Sequence, residues 1–241
     1  KLTEMEKDLS IILPSYEEAE NLNELIPKIL KSLSNSNHEI LVIDTQKPLD
    51  NTREICEREE VRYIPREKGD SFGDAVRTGI KFSKGKVIVF MDADGSHDPK
   101  FIPNLLEHIH EYQVVVASRY VEKGLSENNL LLRSMSKILN LTYAFILNIP
   151  CKDVSNSFKA YHAVDLKELD LVCNNFDIVE EILFKLSRMY EDIQIKEIPF
   201  YFKKRGHGKT KRNLFYFVLT YLYTIIKLRF GKKFNHKSSA K

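Results

Sequence analysis

The stretch Lys86–Pro99, KVIVFMDADGSHDP, sets a run of β-branched and apolar residues directly against an acid-x-acid pair. KVIVFM has the composition of a buried strand, and it ends in Asp92-Ala93-Asp94. Two aspartates one residue apart, on a turn leaving such a strand, can converge on one hard cation through oxygen ligands. The same residues would equally serve as turn residues capping the next helix, and the tripeptide alone leaves both roles open. His97 is either a further ligand or a hydrogen-bonding histidine near a helix start.

Working outward, the flanking segments alternate in period. Asp8–Leu13 (DLSIIL) is a short apolar run stopped by Pro14, and Glu39–Asp44 (EILVID) and Val61–Ile64 read as further strands. Between the first two, Leu22, Leu25, Ile26, Ile29, Leu30 and Leu33 recur at helical spacing, with Pro27 as a tolerated irregularity. Asn51–Glu59 reads as a short helix and Phe72–Phe82 as a longer one after a glycine-containing loop, followed past Pro99 by another helix and the strand Gln113–Ala117. Strands alternating with helices predict an α/β fold with a doubly wound, mainly parallel sheet covered on both faces. Ligands in such sheets bind beyond the carboxyl ends of the strands, where Asp44 and the Asp92/Asp94 pair both stand. Beyond Tyr120 the chain is predicted helical over Leu130–Ile149 and Asp177–Tyr190, and extended over Ile193–Phe202 (IQIKEIPFYF). Leu214–Ile226 is interrupted only by Thr220 and Thr224 and flanked by basic residues, which is too short to span a bilayer but suits an amphipathic helix in its interface.

Composition narrows the class. With 241 residues, 43% hydrophobic and 29% charged, the chain has material for one sizeable α/β core. The net charge of +3 is unevenly placed. Residues 203–241 hold 12 of the 37 Lys/Arg and none of the 34 Asp/Glu, which leaves 1–202 at −9. A basic end on an acidic body points to an anionic partner: membrane headgroups, nucleic acid or a phosphate-bearing substrate. Three widely spaced cysteines argue against a disulfide framework or zinc knuckle and fit a reducing compartment. The N-terminal KLTEMEKD has no signal-peptide core, no run of 18 apolar residues occurs, and no repeat or nucleic-acid-binding motif is found. The expectation is a protein peripheral to, or monotopic in, the cytoplasmic face of a membrane, with no nucleic acid partner.

In order, the chain carries IILPSYEEAENL, LVID, a Gly-Asp-Ala-Val-Arg-Thr-Gly helix start, VFMDADG and VVASRY. This series resembles the family 2 glycosyltransferases of GT-A fold, and within them the dolichol-phosphate mannosyltransferase group; the likeness covers about residues 8–212. The resemblance implies that Pro14, Tyr16 and Glu18 line the nucleotide base and ribose and that Asp44 contacts the nucleoside. It also implies that Gly73, Ala75 and Gly79 bring a helix backbone near the nucleotide. Asp92 and Asp94 would bind Mg²⁺ or Mn²⁺ with Ser96 as a third polar ligand, Asp92 and Ala93 also touching the nucleotide sugar. Arg119 would face an acceptor phosphate whose site Arg133 and Ser136 complete. Arg205, Gly208, Thr210 and Lys211 would form a late loop closing over phosphates, and Glu181 matches an acid in the helix before the last strand.

The resemblance implies an inverting, metal-dependent hexosyltransferase moving mannose from GDP-mannose to a polyprenyl or dolichyl phosphate, with Asp94, Arg119, Arg205 and Lys211 as the catalytic set. Its partners would be a nucleotide sugar, a polyprenyl phosphate lipid and the membrane surface. Residues 1–212 would form the transferase domain and 213–241 a membrane-interface helix with a basic tail. Thr45 in place of a common second aspartate, a longer loop at Gln46–Leu49, Glu17 in place of asparagine, and Asn156-Ser157 in place of Ser-Gly depart from the pattern. A UDP-sugar donor with another acceptor, or a noncatalytic module that binds membrane or nucleic acid, are the alternatives. Locally, Arg119 could be a salt-bridged surface residue, Lys209–Arg212 a solvated charge run, and Glu181 a structural partner of Lys185.

Overall fold

The structure is a computed structural model and describes residues 7–127, 129–207 and 223–230. Its first half is the predicted alternation. In order come β1 (Lys7–Pro14), α1 (Ala19–Ser32), β2 (His38–Asp44), α2 (Thr52–Arg58), β3 (Arg62–Pro65), α3 (Phe72–Phe82) and β4 (Gly85–Phe90). A 3₁₀ turn at Pro99–Phe101 then leads into α4 (Ile102–His108), and β5 (Val114–Ser118) follows. The second half adds β6 (Leu125–Ser126), α5 (Leu130–Leu147), β7 (Lys159–His162), α6 (Ala163–Glu168), α7 (Ile178–Met189), β8 (Ile195–Pro199) and β9 (Tyr201–Phe202). Residues 223–230 are helical.

Seven strands form one sheet in the order β3-β2-β1-β4-β7-β5-β8, parallel except for β7. Period-2 side-chain alternation divides each strand between two cores. Ile12, Leu41, Ile43, Ile88, Phe90, Val114, Val116 and Tyr161 meet α3, α5, α6, α7 and Ile225 and Leu228 of the last helix. Ile11, Leu13, Val42, Val89, Met91, Val115 and Ala160 meet α1, α2 and α4. The crossovers run outward from β1 in one direction and from β4 in the other, which opens a crevice between the carboxyl ends of β1 and β4.

Two differences from the sequence reading matter for the site. The segment 193–202 is two strands, because Pro199 ends β8; Phe200 then hands its N–H to Ser118 O (2.9 Å) and its carbonyl to Leu125 N–H (3.0 Å), carrying β9 into a small second sheet with β6. SNSFKAY runs into β7, only four residues long, inserted antiparallel between β4 and β5 with Phe90 opposite Lys159. Because it runs backwards, the loop that precedes β7 arrives at the edge where the parallel strands end.

Gly73 lies in the first turn of α3, whose N-cap Ser71 Oγ accepts the Asp74 N–H at 3.1 Å. The Gly73 N–H donates to Asn174 O (2.8 Å), and a Cβ at Gly73 would stand 2.2 Å from Cys173 O, a backbone atom with little room to yield. The glycine therefore serves the close approach of α3 to segment 172–174. Gly79, one helix face along, packs on Ile12 and leaves no space for a methyl (2.5 Å to Cγ2). Gly73→Ala is expected to lower stability by about 1–3 kcal/mol through overpacking, read as a fall in the thermal midpoint; an unchanged midpoint would contradict the packing role.

Candidate active site

The acid pair lies on the turn after β4. Gly95, at φ +79, supplies the left-handed residue the turn needs. Asp94 Oδ1 accepts the Ser96 N–H at 3.0 Å, the Asx-type contact of such a turn. The Asp92 N–H donates to His97 Nδ1 at 3.0 Å. His97 is fully buried, stacked on Phe158 at 4.8 Å and met edge-on by Phe200 and Phe202. Burial holds its imidazole below the ordinary histidine value, against the nearby Asp92 and Asp94 charges. With Nδ1 accepting, the neutral ring carries its proton on Nε2. His97 is thus the hydrogen-bonding histidine of the two sequence alternatives, and it anchors the backbone of the acid turn.

Across the crevice, Pro14 ends β1 and lines a narrow cleft with Asp92, Phe72 and Ser157. Tyr16 is 41% exposed, and Glu17 adopts a left-handed φ of +53, a conformation asparagine enters more easily than glutamate. Glu18 is buried; its Oε2 accepts from Asn21 Nδ2 (2.7 Å) and its Oε1 from the Arg205 guanidinium. Burial raises its carboxyl above the usual range, with Arg205 and Asn21 opposing. Arg205 also reaches Asp94 Oδ2 at 3.5 Å, and its loop is clasped to the site by Gly206 N–H to Asp94 O (2.9 Å) and His207 N–H to Asn21 Oδ1 (2.9 Å). The structure therefore joins Glu18, Asp94 and Arg205, which lie far apart in sequence, into one charged cluster. Lys211, Gly208 and Thr210 lie outside the described residues.

Asp44 at the end of β2 is fully buried, with Oδ2 accepting from the Tyr63 hydroxyl (3.2 Å) and Oδ1 without a partner among the described residues. Burial raises its carboxyl above the usual value. Thr45, standing where an acid is common, closes its own loop through Oγ1 to Lys47 O at 2.7 Å. Arg66, which no motif singled out, is buried and donates to the carbonyls of Ser15, Asp70 and Ser71, tying the first loop to the start of α3.

On the far side of Asp92, Arg119 is 11% exposed and makes a two-point ion pair with Asp153, Nε at 2.9 Å and Nη2 at 2.7 Å. The pair exists as the sequence alternative allowed, but it is buried instead of on the surface. Ser155 Oγ also accepts from Arg119 (3.1 Å) and from Asn140 Nδ2 (2.9 Å) on α5, where Asn140 in turn follows Ser136 by one helical turn. Arg133, Ser136, Asn140 and Tyr143 share one stripe of that helix by i+3 and i+4 spacing, and of these Asn140 is linked to Arg119 through Ser155 Oγ. Ser157 Oγ donates to Asp92 Oδ1 at 2.6 Å. Glu181 takes its structural alternative: fully buried, it accepts the N–H groups of Val172 and Cys173 and pairs with Lys185 at 2.7 Å.

Residues 10–170 match the model of glycosyl transferase family 2. The chain belongs to that family. It is 32% identical over 230 residues to the dolichol-phosphate mannosyltransferase of Pyrococcus furiosus, covering 91% of this chain and 64% of that protein. The chain thus spans less than two-thirds of that relative's length. It is 29% identical over 212 residues to the undecaprenyl-phosphate mannosyltransferase of Micrococcus luteus, covering 83% of this chain and 85% of the other. Among solved structures, glucosyl-3-phosphoglycerate synthase from Mycobacterium tuberculosis, crystallised with Mn²⁺, UDP and glucosyl-3-phosphoglycerate, superimposes with a TM-score of 0.71 at 17% identity, over 95% of this chain and 82% of that one. That likeness is one of GT-A-like fold. Around this candidate site, Asp153, Arg66 and Asn21 escaped the sequence reading, and Ser157 entered it without a role. Each acts through a partner distant in sequence, and only the departure at Asn156-Ser157 marked one of them.

Proposed function

We propose that this chain is a polyprenyl-phosphate glycosyltransferase, moving a hexose, mannose from GDP-mannose, onto the lipid phosphate with inversion. The observation that carries the reading is the convergence of Asp94, Glu18 and Arg205 at the β1/β4 crevice, beside the Asp92 turn and across from the Arg119 side. The acids fit a divalent cation. Asp92 and Asp94 keep 32% and 22% of their side chains exposed, Ser96 Oγ is buried without a partner among the described residues, and a guanidinium already balances Asp94. No group of three acid, histidine or cysteine side chains forms a cage among the described residues, so a cation here requires oxygens from a diphosphate or water. Mg²⁺ or Mn²⁺ held by Asp92, Asp94 and Ser96 would supply Lewis-acid stabilisation of the departing diphosphate.

The chain's own groups do the rest. Pro14, Tyr16 and Asp44 receive the nucleoside, with the unpartnered Asp44 Oδ1 as an acceptor for a base or ribose donor. Arg205 leaves Asp94 for the diphosphate as the donor enters. An acceptor phosphate oxygen is already anionic, so it needs positioning by Arg119, Arg133 and Ser136 and no strong general base. Attack opposite the leaving group inverts the anomeric carbon. The α5 helix is long and apolar enough to cross a membrane, yet Asn140, Tyr143 and Leu147 pack into the core. Its outer face exposes Leu131, Ile138, Leu141 and Phe145, and the last helix exposes Tyr223, Ile226 and Phe230. This face, with the basic end, would seat the transferase on a membrane surface; the reading takes residues 1–212 as the transferase unit and 213–241 as the interface segment, of which Ile225 and Leu228 also pack into the core.

A thermal-shift series with GDP- and UDP-sugars, each with and without Mn²⁺, tests the donor reading. Stabilisation by GDP-mannose that requires metal is expected, and indifference to every nucleotide sugar would refute it. Flotation with anionic vesicles is expected for the full chain and should weaken when Ile138 and Phe145 are replaced by Glu.

A further inference from the structure

Ser157 occupies the position that the antiparallel insertion of β7 places opposite Asp92. The register sets Phe90 against Lys159, and two residues further along each strand the Ser157 hydroxyl meets Asp92 Oδ1 at 2.6 Å. We infer that Ser157 is a positioning residue for the donor-side acid, fixing the Asp92 carboxylate rotamer through its Oδ1. This rests on the reading that Asp92 and Asp94 hold a divalent cation with a nucleotide diphosphate.

Three observations carry it. First, no other group among the described residues donates a hydrogen bond to the Asp92 side chain; His97 Nε2 stands 3.8 Å from Oδ2, beyond hydrogen-bond reach. The short O–H to carboxylate contact is therefore what orients an otherwise free rotor. Second, Ser157 cannot follow the carboxylate if it turns, because its segment is fastened on both sides. Asn156 Nδ2 donates to Ala117 O at 2.5 Å, Phe158 stacks on His97, and the fully buried Lys159 ammonium donates to Val154 O (2.9 Å) and to Asn156 O. Third, Asp92 and Ser157 share a cleft lined also by Pro14, Phe72, Val76, Phe90 and Ile182, whose side chains carry no hydrogen-bond donor. A ligand oxygen oriented in advance loses less freedom when a cation arrives, which is the general role of an outer hydrogen bond to a metal-binding side chain.

The test is isothermal titration of the full chain with GDP, and with UDP in parallel, each with and without Mn²⁺. Ser157→Ala is expected to weaken Mn²⁺-dependent nucleotide affinity about 10-fold, with metal-free nucleotide affinity and the thermal midpoint unchanged. Ser157→Thr, which keeps the hydroxyl, is expected to restore most of the loss. A wild-type chain that gains affinity with Mn²⁺ and a Ser157→Ala variant that matches it would overturn this inference alone, as would a Thr variant no better than Ala. A wild-type chain indifferent to Mn²⁺ would overturn the metal reading and this inference with it.

Discussion

Asp94→Ala is expected to lower transfer to polyprenyl phosphate by about 10³-fold, the scale seen when a preorganised group that stabilises transition-state charge is removed. The carboxylate has two tasks that alanine cannot perform. In the proposed function it would offer oxygens to a cation, and it draws Arg205 and its loop onto the crevice through the 3.5 Å contact to Oδ2. Folding should survive, since the side chain is 22% exposed and the turn keeps Gly95 and the His97 anchor on Asp92. The informative measurement is turnover of labelled sugar into a lipid-soluble product, alongside Mn²⁺-dependent nucleotide binding and a melting curve. Full activity in a folded variant would remove the metal assignment.

Asp153→Ala should have the largest effect on stability. Burial by itself would raise the Asp153 carboxyl, but the Arg119 guanidinium outweighs that and holds it below the usual carboxylate value. Removing the acid strands Arg119 at 11% exposure against Tyr120 and Phe202 with Ser155 Oγ as a remaining partner. Breaking one side of such a buried pair costs about 3–5 kcal/mol, a fall in thermal midpoint on the order of 10 °C for a domain of this size. The pH dependence has a definite sign. Because the folded pKa lies below the unfolded one, the pair's contribution is fully present above the unfolded carboxylate value of about 3.9. It is lost as pH falls below that value and through the folded pKa. Asp153→Asn should therefore be less stable than wild type at neutral pH, with the difference shrinking in acid. A difference that stays constant with pH would show that the ionised carboxylate is not what stabilises Arg119.

How much of this was legible in the sequence varies with the distance over which each residue acts. DLSIIL, EILVID and KVIVFM became β1, β2 and β4 because their apolar runs are buried on both faces of a parallel sheet, a pattern contained within each segment. The DADG turn was equally readable, since Gly95 and the Asx contact of Asp94 lie within three residues of each other. By contrast β7 was hidden: KAYH is short, and its lysine occupies a fully buried position that composition assigns to the surface. IQIKEIPFYF looked like one strand because its alternation continues across Pro199, while the change of sheet depends on Ser118 and Leu125, which lie far earlier in the chain.

Sequence alone was sufficient for the class of fold, the family resemblance, the acid pair and the separation of an acidic body from a basic end, because each is written in neighbouring residues or in their order. Tertiary structure decided which of the candidate charges meet. Arg119 proved to be clamped by Asp153, Glu181 to be structural, and Arg205 to bridge Glu18 and Asp94. It also placed Ser157 against Asp92 through one reversed strand. The physical reason is that a charge in a low-dielectric interior takes its role from its nearest partner, and the chain must close on itself before that partner is determined.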